Sequence, residues 1–157
     1  HPLPGVVLED YYLEHIVLCL SDGLLAQCGI DLDTHRGEIA AGNLSALCDC
    51  PFVLGSAEDI GGRIGRGLLR SSGVSPVSKA TSENVETLLA LCEQGVGACF
   101  CPENLLHTAL SPEQLAHLHI LPLCPEASYP ICFGYLSRSY PWSVLSEFIR
   151  IAREQTA

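Results

Sequence analysis

Cysteine and histidine are the residues of this chain with the most evident capacity for chemistry. Cys48 and Cys50 form one Cys-x-Cys pair, Cys99 and Cys101 form another, and six histidines are spread along the sequence. Thiolates and imidazoles together bind zinc, but structural zinc sites separate paired cysteines by two to four residues rather than by one. We therefore expect no bound metal and no cofactor, and a zinc-dependent enzyme stays only as an alternative.

Cys101 could also act as a nucleophile, because Pro102 and Glu103 follow it directly and His107 lies one helical turn further on. A catalytic thiol has to be activated by a base held in a fixed geometry. The run GACFCP is strongly apolar, which favours a buried structural thiol instead. We predict no catalytic residue, with a thiol-dependent enzyme as the alternative.

The glycine cluster GGRIGRG, from Gly61 to Gly67, has the composition of a phosphate-binding loop. It matches neither G-x-G-x-x-G nor G-x-x-x-x-G-K, and it contains no lysine. We interpret these glycines as helix positions that are exposed or that allow close packing against a sheet.

Two serines precede predicted helices, and each follows a short predicted strand. Ser56 comes after the strand PFVLG, and Ser82 comes after a strand from Val77 to Ala80. We interpret both serines as N-caps, since their side chains can accept hydrogen bonds from the first amides of a helix. The carboxyl ends of parallel strands meet at one edge of a sheet, where α/β proteins bind ligands. With Arg63 nearby in sequence, these turns favour a small anionic ligand.

An alternation of strand and helix patterns indicates the elements that position these turns. The best helical pattern runs from Val85 to Cys92, and the run from Val96 to Cys101 is apolar enough to be a strand covered on both faces. We expect an α/β fold in which helices flank a mostly parallel sheet. The polar, glycine-punctuated segment from Ser21 to Asn43 is expected to be irregular, with short helical patches such as LLAQC.

Composition excludes several classes of function. The 157 residues include 8 Lys and Arg against 18 Asp and Glu, for a formal net charge of −10, and Lys79 is the single lysine. Surfaces that bind nucleic acid or anionic membranes need clustered cations, and no apolar run approaches the ~18 residues of a membrane-spanning helix. Nine cysteines, an odd number set in apolar runs, argue against a secreted disulfide framework. We expect a cytoplasmic protein with no membrane partner.

The segment TSENVETLLALCEQGVGACFCPENLL, from Thr81 to Leu106, resembles the effector-binding domain of LysR-type transcriptional regulators. Upstream, CPFVLGS, an arginine-containing helix and GVSP are similar to that family's PFVLL…R…G-I-x-P passage, and LEHIVLCLSD resembles its EELVLVVS strand. Downstream, LHILPL and YPICFGYLSRSYPWSVLSEFI resemble its closing strand and last helix. The likeness covers nearly the whole chain and rests on the order and spacing of these motifs.

The resemblance implies a two-lobed fold like that of the type 2 periplasmic binding proteins, with an effector in the cleft between the lobes. Residues 1–157 would be part of such a domain, with the second lobe at approximately 14–121 and the return strand and helix of the first lobe at approximately 129–153. The DNA-binding domain and the first part of lobe one would lie outside this fragment, so DNA would be bound only through that N-terminal domain.

The resemblance also implies which residues contact the effector, and they fall in the two serine turns and on one strand. They are Ser56, Ala57, Thr81, Ser82, Asn84, Cys101 and Pro102. The function implied is regulation without bond chemistry, in which the small-molecule effector changes the conformation of an oligomer and thereby controls transcription. A free-standing solute-binding protein is the alternative in another class.

The last helix, expected to begin at Pro141, carries an apolar stripe of Trp142, Leu145, Phe148 and Ile149. With part of lobe one missing, this stripe would lose packing surface, and a large exposed apolar patch is unfavourable in water. We predict that a second copy of the chain covers it, in a homodimer or a higher oligomer.

Overall fold

The computed structural model describes residues 4–137 and 143–156. The strands are β1 (Val6–Ser21), β2 (Pro51–Gly55), β3 (Val77–Ser82), β4 (Cys99–Pro102), β5 (Leu118–Pro122) and β6 (Ser128–Leu136). The helices are α1 (Asp22–Cys28), α2 (Leu32–Ala40), α3 (Ile60–Ser71), α4 (Val85–Glu93), α5 (Glu103–Ala109), α6 (Pro112–Leu115) and α7 (Ser143–Thr156), with a 3-10 turn at Ser45–Leu47. The expected helix start at Pro141 and the stripe residue Trp142 lie outside the described residues.

The chain divides into two compact units. The larger is His15–Ser128, and the smaller combines His1–Glu14 with Tyr129–Ala157. The assignment of 14–121 and 129–153 to two lobes of the family fold stays a prediction.

The α/β class expected from the sequence is confirmed, but the strands of the larger unit pair in mixed directions. β2 and β3 are parallel, with Gly55 opposite Ser82, and a parallel bridge joins Phe52 to Ala98 just before β4. In contrast, β1 is antiparallel to both β4 and β5, so the expectation of a mostly parallel sheet is too simple. The apolar run from Val96 to Cys101 indicates only that both faces of β4 are covered, and side chains are buried equally well in parallel and antiparallel ladders.

Helices cover both faces of the larger unit's sheet. On one face the rings of Phe52 and Phe100 stack with centroids 5.9 Å apart, and the Phe100 ring lies against Gly65 of α3. A Cβ on Gly65 would come within 2.4 Å of the Phe100 ring. On the other face, residues of β1, β2, β4 and α4 form one apolar cluster, which includes Cys19, Val53, Leu88, Leu89, Cys92, Cys99 and Cys101.

The glycine cluster therefore lies inside a helix, and its interpretation as a set of exposed and closely packed positions is confirmed. Gly61, Gly62 and Gly65 are buried in α3, whereas Gly67 is exposed with no neighbouring atom within 4 Å of an added Cβ. The close approach of α3 to the sheet requires glycine at Gly62 and Gly65, because a Cβ would meet the backbone of Gly55 and Ser56 at the first position and the Phe100 ring at the second.

The segment Ser21–Asn43 is ordered into α1 and α2, so the helical patch LLAQC is confirmed within α1 but the expectation of an otherwise irregular stretch is wrong. Gly29, at a φ of 65°, ends α1 in the left-handed conformation, and the Asp31 side chain caps α2. Only Leu32 and Ile39 of α2 are buried, and so short an apolar face gives a weak periodic signal.

The smaller unit consists of the first half of β1, most of β6, and α7. The Tyr11 ring packs on Phe133 at 4.6 Å, and Phe133 meets Phe148 of α7 edge to face at 5.9 Å. An ion pair of 2.8 Å joins the Arg153 guanidinium to the Glu9 carboxylate. In the part of the chain that the structure describes, no helix has the length and apolar character needed to span a bilayer.

Candidate functional site

The turns after β2 and β3 begin side by side. Parallel pairing of the two strands sets Leu54 against Thr81 and Gly55 against Ser82, so the chain leaves both strands at the same edge. Ser56 and Ser82 are half-buried there, and Thr81 is exposed. The two serine turns that the sequence singled out are thus adjacent in space.

The turn after β2 is closed by two local side-chain hydrogen bonds. The amide of Glu58 donates to Ser56 Oγ at 3.3 Å, and the amide of Gly62 donates to Asp59 Oδ2 at 2.9 Å. Asp59 is the N-cap of α3, so the interpretation of Ser56 as that cap is wrong. The helix begins four residues after Ser56, and Ser56 instead stabilises the turn before it; Ala57 at its tip is exposed.

Helix α3 holds this turn from behind. A Cβ on Gly62 would lie 2.1 Å from the Ser56 carbonyl oxygen, so this close contact is possible only with glycine. Arg66 reaches back along the helix and donates from Nη2 to the Gly55 carbonyl at 2.7 Å. The position of the turn is therefore fixed by backbone contact and by one guanidinium.

The turn after β3 is closed by the same two kinds of hydrogen bond, with a different residue as the helix N-cap. The amide of Asn84 donates to Ser82 Oγ at 3.1 Å, and the amide of Thr87 donates to Asn84 Oδ1 at 2.8 Å. Asn84 is the N-cap of α4, so the interpretation of Ser82 as the cap is also wrong. In both turns a serine shapes the turn, and an Asx residue two or three positions later caps the helix.

Cys101 and Pro102 belong to the third strand that ends at this edge. β4 follows the parallel Phe52–Ala98 bridge, and its last residue, Pro102, is half-buried. The Cys101 side chain is fully buried, with its Sγ 3.6 Å from Cys19 Sγ. Cys101 therefore faces the core, and Pro102 is the part of β4 that reaches the edge.

The buried thiols Cys50 and Cys99 have the environment of core residues. Hydrogen bonds to Cys19 and Cys92, together with burial, raise the pKa of the Cys99 thiol well above its usual value. Burial and the neighbouring Cys28 raise the pKa of Cys50 to about 12. Both thiols are therefore protonated at neutral pH and poor nucleophiles.

The two Cys-x-Cys pairs do not form a common centre. All nine cysteines lie within the described residues and are thiols; Cys48 is exposed, whereas Cys50 is buried. His119 Nε2 lies 2.7 Å from the Asp22 carboxylate, and His117 is exposed. Among residues 4–137 and 143–156, no three His, Cys, Asp or Glu side chains are placed to hold a metal ion.

At the sheet edge where β2 and β3 end, hydroxyl and amide groups are available to bind a ligand. Ser56, Thr81, Ser82 and Asn84 carry groups that donate and accept hydrogen bonds at neutral charge. Acidic side chains flank both turns, namely Glu58, Asp59, Glu83 and Glu86. An anion held here would depend on the hydroxyl groups and on the amides at the starts of α3 and α4.

Sequence reasoning missed Asp59, Gly62 and Arg66, which fix the turn after β2. Asp59 directly precedes the first residue of α3, which is an N-cap signal that the earlier serine obscured. Gly62 and Arg66 act on backbone atoms of residues distant in sequence, and such contacts have no local sequence pattern.

The family model described as the LysR substrate binding domain matches residues 1–157. A comparison with curated protein sequences found no match. The family match and the structural likenesses together confirm the periplasmic-binding-protein-like α/β fold.

Solved structures of LysR-family proteins align with nearly all of this chain. HinK, a LysR family transcriptional regulator from Pseudomonas aeruginosa, aligns with a TM-score of 0.70 and 18% identity over 99% of this chain and 50% of its own. The regulatory domain of CcmR from Synechocystis PCC6803, in complex with 2-PG, aligns with a TM-score of 0.70 and 12% identity over 99% of this chain and 70% of its own. The effector binding domain of QuiR, in complex with shikimate, aligns with a TM-score of 0.64 and 12% identity over 97% of this chain and 66% of its own. At these identities the likeness shows the fold, and the chain spans 50% to 70% of those lengths.

Proposed function

Since the chain belongs to the LysR substrate-binding domain family, we propose that it senses a small anionic effector for a transcriptional regulator. The observation that carries the proposal is the adjacency of the two serine turns, set by the pairing of Gly55 with Ser82. The proposed contacts are Ser56, Ala57, Thr81, Ser82, Asn84, Cys101 and Pro102, with Cys101 contributing through its backbone because its side chain is buried.

The chemistry of the edge favours an acid that also carries hydroxyl groups. Ser56 and Ser82 can exchange hydrogen bonds with ligand hydroxyls, and the starts of α3 and α4 favour negative charge. The flanking residues Glu58 and Glu83 are exposed, so solvent and salt weaken their repulsion of an anion. Relatives support this class of ligand, since QuiR is described in complex with shikimate and CcmR in complex with 2-PG.

Binding, rather than bond chemistry, is the step that such a site performs. Helices α3 and α4 begin four and three residues after Ser56 and Ser82, so a ligand on the turns contacts the starts of both helices. A ligand that prefers one arrangement of these elements increases the population of that arrangement. In the whole protein, we propose that this change reaches DNA through a separate DNA-binding domain.

Self-association is the second part of the proposal, and its surface differs from the expected stripe. Ile149 is buried and Leu145 is half-buried, so the chain itself already covers most of Ile149 and part of Leu145. The exposed apolar residues of α7 are Val144, Phe148 and Ile151, at 76%, 58% and 44% exposure. We propose that a second copy of the chain covers this exposed face.

Thermal unfolding in the presence of small acids tests the effector site. Shikimate, aromatic acids and phosphate esters are added to the chain and to the variants Ser82→Ala and Ser78→Ala. Ser78 is exposed on the same strand, away from the edge, and is a matched control. At a hundredfold excess over Kd, a ligand stabilises the folded chain by about 2.7 kcal/mol.

We expect at least one acid to raise the Tm of the chain and of Ser78→Ala, and to lose this effect in Ser82→Ala. Each shift is measured against the Tm of the same variant without ligand, so a change in basal stability does not enter. If every stabilising acid shifted the Tm of all three proteins equally, the ligands would bind elsewhere and the proposed site would be contradicted.

A further inference from the structure

Helix α3 carries a concentration of positive charge that the proposed function does not use. Arg63, Arg66 and Arg70 are three of the chain's 8 basic residues, and the 12 residues of this helix include no acid. In the part of the chain that the structure describes, the arginine–carboxylate ion pairs are those of Arg150 and Arg153. The three α3 guanidiniums therefore have no carboxylate partner there, in a chain with a net charge of −10.

Two of these arginines line a pocket of about 410 Å³. Its lining consists of Arg66 and Arg70 of α3, Leu54 of β2, and residues 73–76 between α3 and β3. The lining thus combines two guanidiniums and the Ser75 hydroxyl with apolar surface. The pocket is open to solvent, and its volume lies toward the lower end of the range of small-ligand sites.

Most guanidinium donors of Arg66 and Arg70 are not needed for hydrogen bonds within the fold. One donor of Arg66 goes to the Gly55 carbonyl at 2.7 Å, and a guanidinium has five. The last carbonyls of the helix accept from other groups: Leu68 O from the Ser71 and Ser72 hydroxyls at 2.9 and 2.8 Å, and Arg70 O from the amide of Gly73 at 3.1 Å. Arg70 is therefore not required to satisfy the end of the helix.

We propose that this pocket binds a small oxyanion, either a carboxylate or a phosphate group, between Arg66 and Arg70. Side chains four residues apart on a helix are neighbours, and two like charges in that relation repel. An oxyanion between them replaces the repulsion with charge-assisted hydrogen bonds, for which the planar guanidinium is well suited. Ser75 adds a hydroxyl donor, and Leu54 provides an apolar wall for a carbon skeleton.

The pocket shares Arg66 with the turn after β2, but its other polar groups are separate from the proposed effector site. Arg70 and Ser75 belong only to the pocket, whereas Ser56 and Ser82 belong only to the effector turns. A variant that removes ligand binding at the turns therefore leaves the arginine pocket intact, and each proposal can fail alone.

NMR titration of amide resonances of the whole chain with inorganic phosphate, and separately with succinate, tests the pocket. The variants are Arg70→Gln and, as a matched control, Arg63→Gln, which removes the same charge from the same helix at a position outside the pocket lining. Ser82→Ala separates the pocket from the effector turns. The two ligands distinguish a phosphate site from a carboxylate site.

We expect saturable shifts of the amides at residues 70–75 with at least one of the two ligands, unchanged in Arg63→Gln and Ser82→Ala and at least tenfold weaker in Arg70→Gln. The spectrum of each variant without ligand shows that it is folded. An equal loss of anion affinity in Arg63→Gln would mean that the total positive charge of the helix attracts anions, and it would overturn the proposed binding site in the pocket. Shifts that do not saturate with either ligand would overturn it as well.

Discussion

At the scale of single residues, the glycines of α3 have opposite roles within one turn of helix. Gly65 lies under the Phe100 ring, and Gly62 lies against the backbone of Gly55 and Ser56. Gly67 faces open space, where glycine only adds flexibility to the unfolded chain. The distance from α3 to the sheet, and hence the position of the turn after β2, depends on the first two.

Gly65→Ala and Gly67→Ala should therefore change stability in opposite directions. The Gly65 variant should lose about 1–3 kcal/mol, because its Cβ would lie 2.4 Å from the Phe100 ring and the core would have to shift. The Gly67 variant should gain about 0.5–1 kcal/mol from helix propensity. Urea unfolding measures both free energies, and stabilisation by Gly65→Ala would contradict the packing described for α3.

At the scale of elements, β1, β4 and α4 bring their cysteines into one buried cluster. Cys19 lies opposite Cys99 on antiparallel strands, and Cys92 Sγ donates to the Cys19 carbonyl at 3.2 Å. These thiols fill the volume of small apolar side chains between the sheet and α4. The high cysteine content of the chain thus belongs largely to packing.

The cluster predicts a wide spread of thiol reactivity in the native chain. Cys48 is exposed and should react first with a maleimide, whereas Cys50, with its pKa raised to about 12, is buried and about 1 in 10,000 ionised at pH 8. Cys19 and Cys99 should react only when the chain unfolds. Mass spectrometry of peptides after timed labelling measures this order, and rapid labelling of Cys99 in the folded chain would contradict it.

The elements also show what the sequence can and cannot specify. The periodic run of α4 and the paired strands β2 and β3 follow from local patterns, and these patterns also place the two serine turns at one edge. The caps Asp59 and Asn84 were missed because serine, aspartate and asparagine all cap helices and stand within three residues of each other. The antiparallel partners of β1 depend on contacts with residues about a hundred positions away, which no local pattern encodes.

At the scale of the whole molecule, the exposed apolar face of α7 is the feature that bears on assembly. Val144, Phe148 and Ile151 lie on this face, and Phe148 also supports Phe133 within the smaller unit. Burial of such a face against a second copy removes apolar surface from water at about 25 cal/mol per Å².

Val144→Asp should therefore convert the chain from an oligomer to a monomer. Val77→Asp is the matched control, since Val77 is also exposed, at 54%, but lies in the larger unit. Sedimentation velocity should show an oligomer for the chain and for Val77→Asp. A monomeric parent chain, or an oligomer that is unaffected by Val144→Asp, would contradict the proposed interface.

Hydrogen exchange of the chain with and without millimolar shikimate tests most directly whether the turns after β2 and β3 form one effector site. We expect slower exchange in residues 55–59 and 82–86 together, because the ligand contacts both turns, whether or not the acid also slows exchange in the pocket segment 73–76. If shikimate has no effect, the same measurement with any acid that raises the Tm of the chain should give this pattern. Protection of only one turn, or of neither by any stabilising acid, would contradict the claim.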